Sequence, residues 1–327
     1  MAAKRLMSGI RPTGPLHVGN YVGALRQWAS LQSDYECFYV VVDWHALMSE
    51  YKTPAEVGKH VYTVLAELMA CGITPERSTL IRQSDVPEHL ELMMILGNLM
   101  SLGRLQRCPT YKEQLRELAS KEVTNYTFLG YPVLQAADIL VYRGEVVPVG
   151  EDQLPHLEIT RELARKYNTL YGDLFPEPQP LLERVARLPG LDGRKMSKSY
   201  GNAVYLADPP EEIRRKVMSA LTDTKRARRA DPGHPDECNL YPYYKALFPE
   251  TAAALRSDCE ESRLGCVDCK KRLSGLLVEF LEPIRRKREA LLSDRSRLDE
   301  VLKEGAEKAR SVAGGTMRAV RGQMGLF

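Results

Sequence analysis

No apolar run in the chain reaches the ~20 residues that a bilayer-crossing helix needs, and no apolar signal core follows Met1-Ala2-Ala3-Lys4-Arg5. The expectation is a soluble, cytoplasmic protein with no bilayer-crossing helix and no membrane partner. Internal repeats and low-complexity tracts are missing too, which excludes solenoid arrays. An excess of one charge is also lacking: 46 Lys and Arg stand against 43 Asp and Glu, a net of +3. Cysteine is sparse in the first two-thirds, where Cys37, Cys71 and Cys108 are scattered and read as buried fillers. What is present is 327 residues at 44% hydrophobic and 27% charged, ordinary values for two globular domains with a sizeable core.

The order of patterns points to an α/β fold. A short apolar run, Leu6-Met7, leads into the turn-rich stretch Ser8 to Asn20, and a helical pattern begins at Tyr21. Cys37 to Val42 is a continuous β-branched and aromatic run, as in a parallel strand covered on both faces. It ends at Asp43-Trp44-His45, where polar groups at a strand's C-terminal edge serve ligands. Thr53-Pro54-Ala55-Glu56 reads as N-cap, first-turn proline and capping-box Glu, opening a helix to Cys71-Gly72. A strand at Thr79 to Arg82 and a helix from Pro87 follow, and the alternation predicts a Rossmann-like, doubly wound parallel sheet. The polar, helical stretch from Leu102 to Asn125 reads as an insertion suited to a subunit interface. Tyr131, Gln135 and Asp138 then share one face of a largely apolar helix, a pocket pattern. Val146 to Val149 is a short strand, closing on Gly150-Glu151-Asp152-Gln153 and a helix carrying His156. Residues 1–202 are expected to form the α/β domain. Residues 203–327, with an N-cap signature at Asp208-Pro209-Pro210-Glu211, are expected to form a small all-α domain.

Two stretches carry chemistry. The Ser8–Asn20 loop lies between a first strand and a first helix, where free backbone N–H groups and the helix dipole favour phosphate. Gly19 permits close approach there, and His17 adds an imidazole donor. Far downstream, Lys195-Met196-Ser197-Lys198-Ser199 follows the Gly/Pro-rich opening Leu188 to Gly193. Basic clusters at Arg214 to Lys216, Lys225 to Arg229, Lys270 to Arg272 and Arg285 to Arg288 suit a polyanion. Finally Cys238, Cys259, Cys266 and Cys269, with twenty, six and two residues between them, form a four-thiolate set in a reducing compartment. Spacing alone leaves Zn²⁺ and an iron–sulfur cluster both open, with zinc favoured by frequency.

At these residues the chain resembles the class I aminoacyl-tRNA synthetases, and within them the bacterial tryptophanyl branch. His17-Val18-Gly19-Asn20 is similar to the HIGH signature in its Asn-ending variant, and Lys195 to Ser199 reads KMSKS. Gly130 to Leu134, Ala136 to Leu140 and Val147 to Gln153, with His156 and Glu158 after them, resemble blocks of that branch. The resemblance implies ATP-dependent ligation of L-tryptophan to tRNA(Trp) through an adenylate, with Mg²⁺ accompanying ATP. It implies catalytic roles for His17, Asn20, Lys195, Ser197 and Lys198. ATP would be bound by Arg11, Pro12, Thr13, Gly19, Asn20, Gly150, Asp152, Gln153 and Met196. Tryptophan would be bound by Met7, His45, Tyr131, Gln135, Asp138, Val147 and Val149, with Asp138 accepting the indole N–H. The resemblance further implies a homodimer and, because a subset of the branch has similar cysteine spacing, a 4Fe–4S cluster on Cys238, Cys259, Cys266 and Cys269. That cluster would staple the helical domain, with Lys225 to Arg229 meeting tRNA phosphates beside it.

Two residues depart from the commoner pattern. Gln135 stands where Met is usual, and a Gln three residues before an Asp also suits a phenol, which keeps tyrosine as the alternative substrate. Arg11 stands where many relatives carry Gln and adds a cation near the phosphates. A non-enzymatic RNA-binding paralogue and a nucleotidyltransferase of the same sheet type are the remaining readings. Intact His17, Asn20, Lys195 and Lys198 argue against the first, and the KMSKS loop against the second.

Overall fold

The computed structural model describes residues 3–118, 121–182 and 188–326. Five parallel strands form one sheet: β1 (Arg5–Ile10), β2 (Glu36–Val41), β3 (Ser78–Arg82), β4 (Val146–Val149) and β5 (Gln179–Leu182), in the order β3-β2-β1-β4-β5. The chain winds from β1 outward through β2 to β3, then crosses to β4 and continues to β5. The winding direction therefore reverses between β1 and β4, and ligands of such sheets bind outside the strand ends at that reversal. β1 pairs with β2 along its whole length, Arg5↔Glu36 to Ile10↔Val41, but with β4 only at Leu6↔Val146. The two strands thus part toward their C-terminal ends and leave a crevice.

β5 has no counterpart in the sequence reading. It is four residues long, partly exposed and contains Pro180. An edge position, paired only to β4, tolerates the missing proline N–H. Helix starts also differ in detail from expectation. The first helix begins at Val18 rather than Tyr21, passes through a π turn at Tyr21–Leu25, and continues as Arg26–Leu31. Thr53 makes no side-chain cap on the Pro54–Ala70 helix, and Glu56, its expected capping-box partner, pairs with Lys59 (2.6 Å). Asp208 likewise does not cap the Pro210–Ser219 helix; it accepts from the Tyr205 amide (2.8 Å) and pairs with Lys216 (2.6 Å).

Beyond residue 203 the regular structure is helical: Pro210–Ser219, Tyr241–Leu247, Pro249–Glu260, Cys266–Ser293 and Arg295–Met324. Residues 220–240 are irregular apart from one short turn at Pro235–Glu237. The last helix returns to the sheet. A Cβ at Gly305 would collide with the Leu80 carbonyl of β3, Arg310 Nε donates to the Asp85 carbonyl (2.6 Å), and Arg321 forks onto Glu91 (2.7 and 2.5 Å). Leu298, Val301 and Leu302 enter the core on one face of the sheet, while Ala309, Ala313, Met317 and Val320 enter the other. A buried Leu or Val of this kind contributes about 1.5–3 kcal/mol. Among the described residues, no helix is long and apolar enough to cross a membrane.

Candidate active site

A cavity of about 510 Å³ opens at the β1/β4 crevice. Its inner end is lined by Met7, His45, Tyr131, Gln135, Asp138, Val147 and Val149, and its mouth by Arg11, His17, Gly19, Asn20, Gly150, Asp152, Gln153, Lys195 and Met196. Pro12, Thr13, Ser197 and Lys198, also expected at the site, are not among its lining residues. The imidazole of His17 and the ammonium of Lys195, 178 residues apart in the chain, thus face one space.

The mouth is built by interlocking the two signature segments. His17 caps the first helix: its Nδ1 accepts from the Asn20 amide (3.2 Å), and Asn20 Oδ1 accepts from the His17 amide (3.0 Å). An accepting Nδ1 leaves the proton on Nε2, so a neutral His17 is a donor at that atom. Burial, reinforced by the Lys198 charge, pushes its pKa down to about 4, and the ring is neutral at physiological pH. Gly19 is required by close approach: a Cβ would lie 2.9 Å from His17 Nδ1 and 3.0 Å from the Met196 sulfur. The lysine loop therefore rests directly on the first helix. Lys198 Nζ donates to the Gly14 carbonyl (2.6 Å), at a glycine whose φ of +131° few other residues adopt. Burial lowers the Lys198 pKa to about 8, against the opposing pull of Glu67. The chain leaving the loop pairs back: Val18 donates to Val204 and Leu206 to Leu16, both at 2.9 Å.

Lys195 is half-exposed and pairs with Glu117 (3.2 Å) of the Pro109–Glu117 helix. Asn202, which the sequence reading did not single out, staples the loop. Its side chain accepts from the Ser197 amide (2.9 Å) and donates to Asp192 (2.7 Å) and the Lys195 carbonyl (3.1 Å). Arg11 projects into the cavity, where Tyr131, Glu50 and Glu117 act on its charge.

The inner end is more elaborate than the sequence implies. Asp138 is 1% exposed and accepts three hydrogen bonds, from His45 Nε2 (2.8 Å), Gln83 Nε2 (2.7 Å) and His89 Nδ1 (2.7 Å). Burial favours the neutral acid, but the His45 and His89 contacts outweigh it and hold Asp138 well below the usual carboxylate range. His45, expected to bind tryptophan, turns its Nε2 to Asp138. Gln83 and His89 lay outside the sequence reading because β3's end and the next helix carry no motif. Seven residues before Asp138 in the same helix, the Tyr131 hydroxyl meets His156 Nε2 (3.0 Å), whose Nδ1 faces Thr110 (3.5 Å).

The late cysteines are all free thiols. They lie near enough to act on one another: burial raises Cys238, Cys259 and Cys269, and neighbouring cysteines add to each, pushing Cys269 up to about 12. Such a donor set fits zinc or a four-iron cluster in chemistry. Among the described residues, however, no three His, Cys, Asp or Glu are drawn closely enough together to hold a metal ion. The basic run beside them is partly engaged. Arg226 donates to the Leu264 carbonyl (2.8 Å) and the Arg229 carbonyl (2.6 Å), and Lys225 pairs with Glu237 (2.7 Å).

Comparison with known proteins agrees with this geometry. The family "tRNA synthetases class I (W and Y)" matches residues 2–282. A tryptophan–tRNA ligase of Thermotoga maritima is 46% identical over 326 residues, covering 99% of each chain. That of Aquifex aeolicus is 40% identical, covering 98% of this chain and 100% of its own. A crystal structure of tryptophanyl-tRNA synthetase from Campylobacter jejuni, complexed with ADP and tryptophan, superposes with a TM-score of 0.88 at 33% identity, covering 98% of this chain and 99% of its own. The chain belongs to the class I tRNA synthetases of the tryptophan and tyrosine group. Within that group these relatives are tryptophan enzymes.

Proposed function

We propose that this chain is a bacterial tryptophan–tRNA ligase working in the cytoplasm. The observation that carries the reading is one cavity with a buried, hydrogen-bonded carboxylate at its inner end and both signature segments at its mouth. The tryptophan carboxylate attacks the α-phosphorus of ATP and pyrophosphate leaves. The adenylate then passes its acyl group to the terminal ribose of tRNA(Trp), and AMP leaves. Met7, Val147 and Val149 enclose the ring, Asp138 accepts its N–H, and Tyr131, Gln135 and His45 complete the slot. Charge that develops on the phosphates is met by donors from both signature segments, His17 Nε2–H with Asn20 behind it, then Lys195, Ser197 and Lys198 on the loop. Arg11, Pro12, Thr13, Gly19, Gly150, Asp152, Gln153 and Met196 shape the nucleotide's seat. Mg²⁺ enters with ATP as part of the substrate and neutralises its phosphates. ATP–pyrophosphate exchange with each aromatic amino acid tests the reading: tryptophan alone should support it, and exchange with tyrosine alone would overturn it.

Residues 1–202 perform activation and 203–327 meet tRNA, with Lys225, Arg228 and Arg229 on its phosphates while Arg226 braces local carbonyls. Cys238, Cys259, Cys266 and Cys269 are the residues that would hold a 4Fe–4S cluster, with zinc as the alternative. A group bound there would tie residue 238 to the Pro249–Glu260 and Cys266–Ser293 helices. Their four free, mutually acting thiols support this, and iron with acid-labile sulfide in anaerobically purified protein is the expected finding. Stoichiometric zinc without iron would refute the cluster. The homodimer forms through the exposed Met94, Leu102 and Tyr126 on adjoining helices, 69%, 63% and 78% exposed, and sedimentation at micromolar concentration checks it.

A further inference from the structure

We propose that Glu67 is a positioning residue for adenylate formation: its buried carboxylate holds the loop that seats His17 and Lys198, and Arg288 of the C-terminal half holds the carboxylate. The proposal rests on the assignment of His17 and Lys198 to ATP. Glu67 is 0% exposed, in the Pro54–Ala70 helix. One oxygen accepts from the Leu16 amide (2.8 Å) and the other from Arg288 Nε (2.9 Å) of the Cys266–Ser293 helix. Leu16 immediately precedes His17, and its carbonyl accepts from Leu206. Residue 16 is thus fixed from both sides. The Gly14 carbonyl that receives Lys198 lies two residues earlier.

Stability does not explain a carboxylate at this place. A buried ion pair is often no better than packed apolar residues, while an unpaired buried charge is strongly destabilising. Its effect falls instead on the site. Glu67 is the principal anion acting on Lys198, with Arg11 and Glu50 as the other charges facing that ammonium. Lys198 in turn acts on His17 and His60. Around Glu67 itself stand Arg288, Lys198 and Cys71. One side chain therefore sets the backbone before His17 and the charge balance of Lys198, and draws its own anchor from the far half of the chain.

Glu67→Gln keeps an acceptor for the Leu16 amide and removes the charge. Tryptophan-dependent ATP–pyrophosphate exchange is measured across pH, with tryptophan binding by intrinsic fluorescence and a thermal melt on the same protein. The expected result is a fall of about tenfold in kcat with tryptophan affinity within about twofold of the parent. The alkaline limb, set by an ammonium titrating at about 8, should move to lower pH because its counter-charge is gone. Arg288→Met leaves the Glu67 carboxylate without its anchor and should reproduce the fall in kcat, the double variant should be no worse than either single one, and Arg288→Lys should restore kcat. Unchanged kcat and an unmoved limb in Glu67→Gln overturn the proposal, as does a loss of tryptophan affinity equal to the loss of rate. If Glu67→Gln does not fold, Arg288→Lys and Arg288→Met carry the comparison of kcat against tryptophan affinity. Absent exchange in the parent protein would instead defeat the ligase reading.

Discussion

Replacing Asp138 by Asn tests the tryptophan assignment most directly. The Oδ1 side of Asp138 receives two donors, from Gln83 and His89, and the Oδ2 side receives one, from His45. The Asn carbonyl must therefore take the Gln83/His89 side, which leaves its NH₂ facing His45. The histidine can answer by shifting its proton to the other nitrogen, so the fold is expected to survive with a loss of about 1–3 kcal/mol. The indole N–H finds no such remedy, because it meets a donor where an anionic acceptor stood. A hydrogen bond to a charged group is worth about 1.5–3 kcal/mol, so the tryptophan KM should rise about 10- to 150-fold. The assay is pyrophosphate exchange at saturating ATP with tryptophan varied, repeated with an analogue whose ring nitrogen is replaced by sulfur. The parent should reject that analogue, and the variant should treat both alike. An unchanged tryptophan KM, or discrimination retained by the variant, would refute the role given to Asp138.

Acid should weaken the fold through His17 and His156, each held near 4 by burial. With an unfolded value near 6.5, the unfolded chain gains protons first, so stability is full above that value and falls as pH drops toward 4. At pH 5 each histidine should cost about 2 kcal/mol; equal urea midpoints at pH 5 and 7.5 would contradict this. Lys195→Ala should slow adenylate formation far more than it weakens tryptophan binding, and its exposed pairing with Glu117 should shift the melting point little, since such pairs contribute under about 1 kcal/mol. Asn202→Ala removes three hydrogen bonds within the lysine loop. Single-turnover kinetics should show slower activation, at least about tenfold, with tryptophan affinity intact.

Many of the residues that line the cavity were legible in the chain because their spacing follows local geometry. Tyr131, Gln135 and Asp138 fall on one helix face, and the glycines and lysines cluster in turns. Residues that hold those side chains were not legible. His89 and Gln83 reach Asp138 across 49 and 55 residues, and Asn202, although its partners lie within ten residues, carries no local pattern, so only folding reveals them. β5 was missed because Gln-Pro-Leu-Leu satisfies no periodicity rule, being short and at an edge. The expected cap at Asp208 is absent because the Tyr205 amide and Lys216 take its carboxylate, and the Glu56 half of the capping box at Thr53 is lost to Lys59. The π turn at Tyr21–Leu25 has no counterpart in residue identity either.

The return of the Arg295–Met324 helix to β3 has a consequence for biosynthesis. Its anchor to the Asp85 carbonyl spans 225 residues, and ribosomes add about 5–20 residues per second. The nascent sheet therefore waits about 10–45 s with its outer strand and apolar flank uncovered. During that interval the emerging polypeptide is a natural client for chaperones, and ribosome stalling short of the final helix should yield a species that aggregates rather than a smaller working enzyme.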